Sequence, residues 1–120
     1  MHFRLNFITE AKNAEDAIIE AENYMQDSDG CDWFDWYEIG GRWDGDGIEG
    51  NAGLITVDYY NNYLKEYDGV EIIGGDYAPG IGKSPKEMRW FNRHVVNTTG
   101  EPISNLMVNR YYCVIIDYHN

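Results

Sequence analysis

Residues 31–47, read as CDWFDWYEIGGRWDGDG, concentrate aromatic rings, glycines and a single arginine. Indole and phenol rings combine a large apolar area with a polar tip, and a guanidinium donates hydrogen bonds in a planar fork. Glycines allow a ligand to approach the backbone closely. These residue types predict a site for an anion or a flat ring, or alternatively a packed aromatic core beside a glycine turn. The ligand site would consist of Trp36, Tyr37, Arg42, Trp43 and, from the C-terminal end, His119.

Acidic residues crowd the same part of the chain. Asp44, Asp46 and Glu49 could supply oxygen ligands, but their spacing does not match the EF-hand loop, so a solvated acidic turn is the simpler interpretation. As a protein-binding surface, the acidic residues would imitate the phosphates of a nucleic acid. The predicted contact residues are Asp27, Asp29, Asp32, Asp35, Asp44, Asp46 and Glu49, with Glu38 among them in sequence.

The histidines and cysteines form no recognisable catalytic or metal-binding motif. His2, His94 and His119 make no H-x-x-x-H pair, and the two cysteines lie outside any C-x-x-C pattern. Asp117 could orient the imidazole of His119 two residues along a strand, although a surface histidine near the chain end would look the same. The sequence therefore predicts a protein that is not an enzyme and that holds no metal and no cofactor.

Net charge narrows the classes of partner. The formal charge of −12 on 120 residues repels nucleic acid and attracts cationic surfaces, although acidity can also serve solubility alone. No apolar run is long enough to span a membrane, and the polar N-terminal residues do not resemble a signal peptide. These features predict a cytoplasmic protein without direct contact to nucleic acid or membrane.

Hydrophobic periodicity indicates the elements that would position these residues. Residues 2–9 alternate apolar and polar side chains as a half-buried strand does. Residues 13–27 then predict an amphipathic helix with Asn13 as its N-cap. A second strand is expected within residues 32–40, and a glycine-rich turn follows it. Residues 54–69 read as a strand and then a helix.

The C-terminal third of the sequence predicts a helix and a central strand. A capping-box pattern at Ser84 and Glu87, with an apolar stripe at Met88, Phe91 and Val95, indicates a helix over residues 85–97. Residues 106–120 are rich in β-forming side chains. The order of elements predicts an α+β fold in one domain, residues 1–120, with an antiparallel sheet and two or three helices on one face, as in a ferredoxin-like sandwich.

The segment WYEIGGRW, together with the closing Asp-x-His, resembles a group of small uncharacterised proteins of bacteriophages and mobile elements. Small, strongly acidic phage proteins are in turn similar to anti-CRISPR and other anti-defence proteins. The resemblance implies a phage-related origin and no particular activity. Taken with the acidic charge, it leads to the prediction of an inhibitor that binds a host defence protein through that protein's basic, nucleic-acid-binding surface. The alternative is a small nucleotide- or anion-binding module, such as a sponge for a signalling nucleotide or a weak hydrolase.

Overall fold

The computed structural model describes residues 2–27, 34–65, 93–107 and 110–119. The chain has an α+β fold, as the sequence predicts. Its strands are β1 (His2–Glu10), β2 (Trp36–Ile39), β3 (Ala52–Leu54), β4 (Arg93–Asn97) and β5 (Tyr111–His119). Its helices are α1 (Ala14–Asp27) and the short α2 (Val57–Tyr59), which continues as a π-helical turn at Tyr60–Leu64. Short 3-10 turns occupy Gly41–Trp43, Glu49–Asn51 and Ile103–Leu106.

Strand β5 lies at the centre of a mixed sheet with the order β2-β5-β1-β4. It pairs antiparallel with β1 along the full length of both strands, from His2 opposite His119 to Glu10 opposite Tyr111. Along its other edge β5 pairs first with β3 and then with β2, both antiparallel. The β1–β4 pair is parallel, so the expectation of a purely antiparallel sheet is corrected to a mixed one.

Strand β1 is buried on both faces rather than on one. Leu5 and Phe7 point to one side, as the alternation predicts, and are at most 2% exposed. The polar residues between them, Arg4 and Asn6, are equally buried, at 2% and 0% exposure. Other parts of the chain therefore cover both faces of the sheet, and the polar positions of β1 lie in the interior.

Helix α1 covers the face to which Leu5 and Phe7 point. The backbone N–H of Asp16 donates to Asn13 Oδ1 at 2.8 Å, which confirms the expected N-cap. We call the apolar cluster beneath the helix the α1-side core; it contains Leu5, Phe7, Ala17, Ala21, Met25, Ala52, Val96, Val114, Ile116 and Tyr118. Within the described residues, neither α1 nor any shorter helix has the length and hydropathy of a membrane-spanning segment.

We expect Asn13→Ala to lower the free energy of unfolding by about 1 kcal/mol, because the Asp16 N–H loses its side-chain acceptor. Asn13→Ser should keep most of the stability, since serine also caps helices well. Urea denaturation of both variants, with Lys12→Ala as an exposed neighbouring control, measures the difference. A loss for Asn13→Ala no larger than that for Lys12→Ala would show that the cap contributes little.

The second helical segment covers the opposite face of the sheet. We call the cluster there the α2-side core; it contains Ile8, Ile48, Ile55, Tyr59, Leu64, Val95, Ile103, Leu106, Tyr111, Cys113 and Ile115. The expectation of helices on one face is therefore corrected, because α1 and α2 pack on different faces of the sheet. Both faces need cover because β1 and β5 each contribute apolar side chains to both cores.

Residues 93–97, which the sequence assigned to a helix, form strand β4. Val95 packs in the α2-side core and Val96 in the α1-side core, so successive side chains point to opposite faces as in a strand. Two adjacent β-branched residues favour extended backbone, and the parallel pairing with β1 satisfies its hydrogen bonds. Val95 is buried as predicted, whereas Met88 and Phe91 lie outside the described residues.

Candidate functional site

Three rings meet where β2, β5 and β1 lie side by side, and we call them the ring cluster: Trp36, His119 and His2. The rings of Trp36 and His119 are parallel within 3°, with centroids 5.7 Å apart. The ring of His2 stands nearly perpendicular to both, at 5.4 Å from Trp36 and 5.6 Å from His119. Cross-strand register thus unites two of the five predicted ligand-site residues with a histidine that the sequence did not single out.

Tyr37 and Trp43 are not part of this group. Tyr37 follows Trp36 on the strand and so points to the other face, where it packs against the α1-side core with Phe34. Trp43 packs against the α2-side core. The predicted ligand site is therefore divided between two faces of the sheet. The rings of Tyr37 and Trp43 pack against the cores, whereas that of Trp36 is exposed.

Arg42 is held by its backbone rather than by its side chain. Its N–H donates to Asp117 Oδ2 at 2.9 Å. Within the described residues its exposed guanidinium makes no ion pair with Glu38, Asp44 or another carboxylate. The backbone of Arg42 therefore anchors the glycine-rich turn to β5, and its guanidinium lies at the surface.

Asp117 is buried, at 1% exposure, and joins three distant segments. Its Oδ1 accepts from His2 Nδ1 at 2.8 Å, and its Oδ2 accepts the Arg42 N–H. Gly41 makes the second contact possible, because it has φ +50° and a Cβ there would lie 2.5 Å from the Asp117 side chain. The carboxylate of Asp117 thus fixes both a histidine and the entry to the glycine-rich turn.

His119 is oriented by a different carboxylate from the one the sequence suggested. Its Nδ1 lies 2.9 Å from Asp35 Oδ2, whereas Asp117 takes His2. Both oxygens of Asp117 are engaged elsewhere, by His2 and by the Arg42 N–H, and Asp35 takes its place beside His119. Two histidine–carboxylate pairs result, His119 with Asp35 and His2 with Asp117, where the sequence suggested at most one, between His119 and Asp117.

A buried arginine lies beneath the acidic turn, and we call this group the Arg4 clamp: Arg4, Asp46, Tyr59 and Tyr63. The two terminal nitrogens of Arg4 donate to Asp46 Oδ2 and to its backbone carbonyl, each at 2.7 Å. A third bond runs to Tyr59 Oη at 3.1 Å, and the guanidinium lies 4.2 Å from the centroid of the Tyr63 ring. Asp46 keeps 52% of its side chain exposed while it anchors the turn to β1.

The interior next to the clamp is polar but chemically unreactive. Tyr59 Oη donates to Asn6 Oδ1, and the thiol of Cys113 lies 3.7 Å from the same oxygen. Burial raises the pKa of Cys113 to about 12, and burial also raises the pKa of Tyr59. Cys113 is therefore a protonated thiol at neutral pH, with none of the thiolate character that a nucleophile needs.

The predicted acidic contact residues lie at the surface wherever the structure describes them: Asp27, Asp35, Asp44, Asp46 and Glu49. Asp29 and Asp32 lie outside the described residues. Asp44 accepts from Asn51 Nδ2 at 2.7 Å, and Asp35 and Asp46 have the partners given above. Glu38 and Glu49 are exposed and make no ion pair within the described part of the chain.

In the described part of the chain, the ring cluster is open to solvent and does not line a closed pocket. Trp36 is 42% exposed, and the side chains of His2 and His119 are 25% and 34% exposed, so the ring cluster lies at the surface. Across residues 2–27, 34–65, 93–107 and 110–119, no three His, Cys, Asp or Glu side chains are grouped to hold a metal ion. The arrangement suits contact with another molecule's surface better than enclosure of a small ligand.

Comparison of the chain with protein-family models, with curated proteins and with solved structures gave no match. The resemblance to phage proteins therefore stays a prediction from the WYEIGGRW segment.

Proposed function

We propose that the protein is an inhibitor of the phage anti-defence type, which binds the basic, nucleic-acid-binding surface of a host protein through its own acidic surface. The observation that carries the proposal is the exposure of every acidic residue between 35 and 49, a segment that contains a single basic residue, Arg42. Carboxylates presented at a surface attract cationic side chains and raise the rate of association. The partner is a protein rather than a nucleic acid, because phosphates would be repelled.

Buried Arg4 offsets the charge of one acidic residue of this segment, Asp46, and leaves the others uncompensated by it. Arg4 is buried and its charge is directed to Asp46, so it does not present a positive group at the surface. Asp117 is the one acidic residue that the described part of the chain buries. The acidic residues of the turn therefore face solvent, where a partner can reach them.

The alternative function, binding of a nucleotide or another anion, has weaker support. The exposed guanidinium of Arg42 favours it, since that group is available to a phosphate as far as the described residues go. Tyr37, however, packs on the opposite face of the sheet from Trp36, Trp43 packs against the α2-side core, and carboxylates flank Arg42 on both sides in sequence. An anion would have to bind within a repulsive field.

Charge reversal tests the proposal. We expect Glu38→Lys combined with Glu49→Lys to weaken binding to the partner by about tenfold or more, mainly through a slower association rate, because rim charges act on encounter. The partner is first isolated from a host lysate with the wild-type protein and identified by mass spectrometry. Its binding is then measured by surface plasmon resonance at rising salt, and its binding to its own nucleic acid by competition.

A matched control keeps the net charge equal. Glu20→Lys combined with Glu101→Lys makes the same change in charge at two exposed positions outside the 35–49 segment. Equal loss of binding in both double variants would mean that overall charge, not this surface, attracts the partner. Binding that is indifferent to salt and to both variants, or that leaves nucleic-acid binding intact, would contradict the proposal.

A further inference from the structure

Trp36 is an exposed aromatic residue whose position is fixed by its neighbours. Its ring lies parallel to that of His119 and against the edge of His2, yet 42% of the residue remains exposed. His119 is itself held by Asp35. A ring that is already ordered loses little conformational entropy when a partner contacts it, and tryptophan is enriched among the residues that dominate binding energy.

Two exposed acidic residues, Asp35 and Glu38, lie next to Trp36 along the chain. Glu38 lies two residues along β2 and therefore on the same face as Trp36, and both are exposed. The side chain of Asp35 is 65% exposed, with Oδ2 directed to His119. The surface thus offers an aromatic face with negative charge next to it, which complements a planar cation.

Elsewhere in the same protein, an arginine is bound by an aromatic ring and a carboxylate together. In the Arg4 clamp a guanidinium lies over the ring of Tyr63 and donates to the carboxylate of Asp46. Arg110 repeats it at the surface, 5.2 Å from the ring of Tyr111 and 3.9 Å from Glu10. At Trp36 the ring and the carboxylates are present without an arginine from the described residues.

We propose that Trp36, with Asp35 and Glu38, forms the docking site for an arginine side chain of the partner protein. The inference rests on the proposed function and names the chemistry of its central contact. The guanidinium stacks on the indole and donates to the carboxylates, a combination for which the planar fork of arginine is better suited than the compact ammonium of lysine. The carboxylates of the turn then supply attraction, and Trp36 supplies the preference for arginine.

Oligoarginine and oligolysine peptides of equal length separate the two contributions. We expect calorimetric titration at low salt to show that the ratio of oligoarginine to oligolysine affinity falls by about two- to fivefold in Trp36→Leu, the amount that an exposed cation–π contact contributes. Trp36→Phe, which keeps an aromatic face, should retain part of the preference. Ile19→Ala, which removes exposed apolar area on α1, should retain all of it. Thermal melts check that each variant is folded.

The outcomes distinguish this inference from the function on which it rests. If both peptides bind with strong salt dependence but the affinity ratio is the same in wild type and Trp36→Leu, the arginine site is wrong and the acidic docking surface stands. If neither peptide binds the wild type at low salt, the acidic surface attracts no cation and both proposals fail. A ratio that falls equally in Ile19→Ala also overturns the arginine site.

Discussion

Asp46→Ala should lower the free energy of unfolding by about 3 kcal/mol, although Asp46 is half exposed. Its carboxylate and carbonyl accept hydrogen bonds from both terminal nitrogens of Arg4, which is 2% exposed. Removal of the Asp46 carboxylate leaves the buried charge of Arg4 without that compensation, and the cost of an uncompensated buried charge exceeds the loss of the contact itself. Urea denaturation measures the change.

Two further variants decide the cause. Glu49→Ala removes an exposed acid from the same turn and should change stability by at most about 0.5 kcal/mol. Arg4→Met combined with Asp46→Ala should be less destabilising than Asp46→Ala alone, because no buried charge then remains. A loss for Asp46→Ala no larger than that of Glu49→Ala would show that the clamp does not hold the turn.

Local patterns were sufficient to predict the elements that depend on local physics. Asn13 caps α1 as expected. The apolar centre of β5 correctly indicated a central strand. In each case the residues that determine the element lie within one helical turn or one strand of each other.

Features that depend on distant neighbours were not predictable in the same way. The alternation in β1 suggested a solvent face, because Arg4 and Asn6 are polar, whereas both are buried by the segment that carries Asp46 and Tyr59. Residues 93–97 had a helical pattern, but pairing with β1 overrides weak local preference. Sequence cannot show which partner a polar side chain will find across the sheet.

The candidate site shows the same limit at a finer scale. The aromatic segment was correctly picked as unusual, yet strand alternation separates Trp36 from Tyr37. His2 was missed because its importance comes from lying opposite His119 on an adjacent strand. Had the β1–β5 register been anticipated, the closing Asp-x-His would have indicated that His2 is within reach of Asp117.

Gly41→Ala tests whether Asp117 of β5 holds the glycine-rich turn against the sheet. We expect a loss of about 3 to 4 kcal/mol in the free energy of unfolding, for two reasons. A positive φ costs a residue with a Cβ about 1 kcal/mol, and the new Cβ would lie 2.5 Å from the Asp117 side chain. Asp117 must then move, and its charged hydrogen bonds to His2 and to the Arg42 N–H weaken.

Gly45→Ala is the matched control, since Gly45 also has a positive φ, of 71°, but nothing lies within 4 Å of a Cβ built there. It should cost only the backbone term, about 1 kcal/mol. The difference between the two variants therefore measures the contact of Gly41 with Asp117, and NMR of the His2 imidazole reports directly whether its bond to Asp117 is lost. Equal losses for both glycines, with the His2 signals unchanged, would mean that Asp117 does not link the sheet to the turn, and that the Arg4 clamp and the bond between Asn51 and Asp44 position the acidic residues after Arg42 without it.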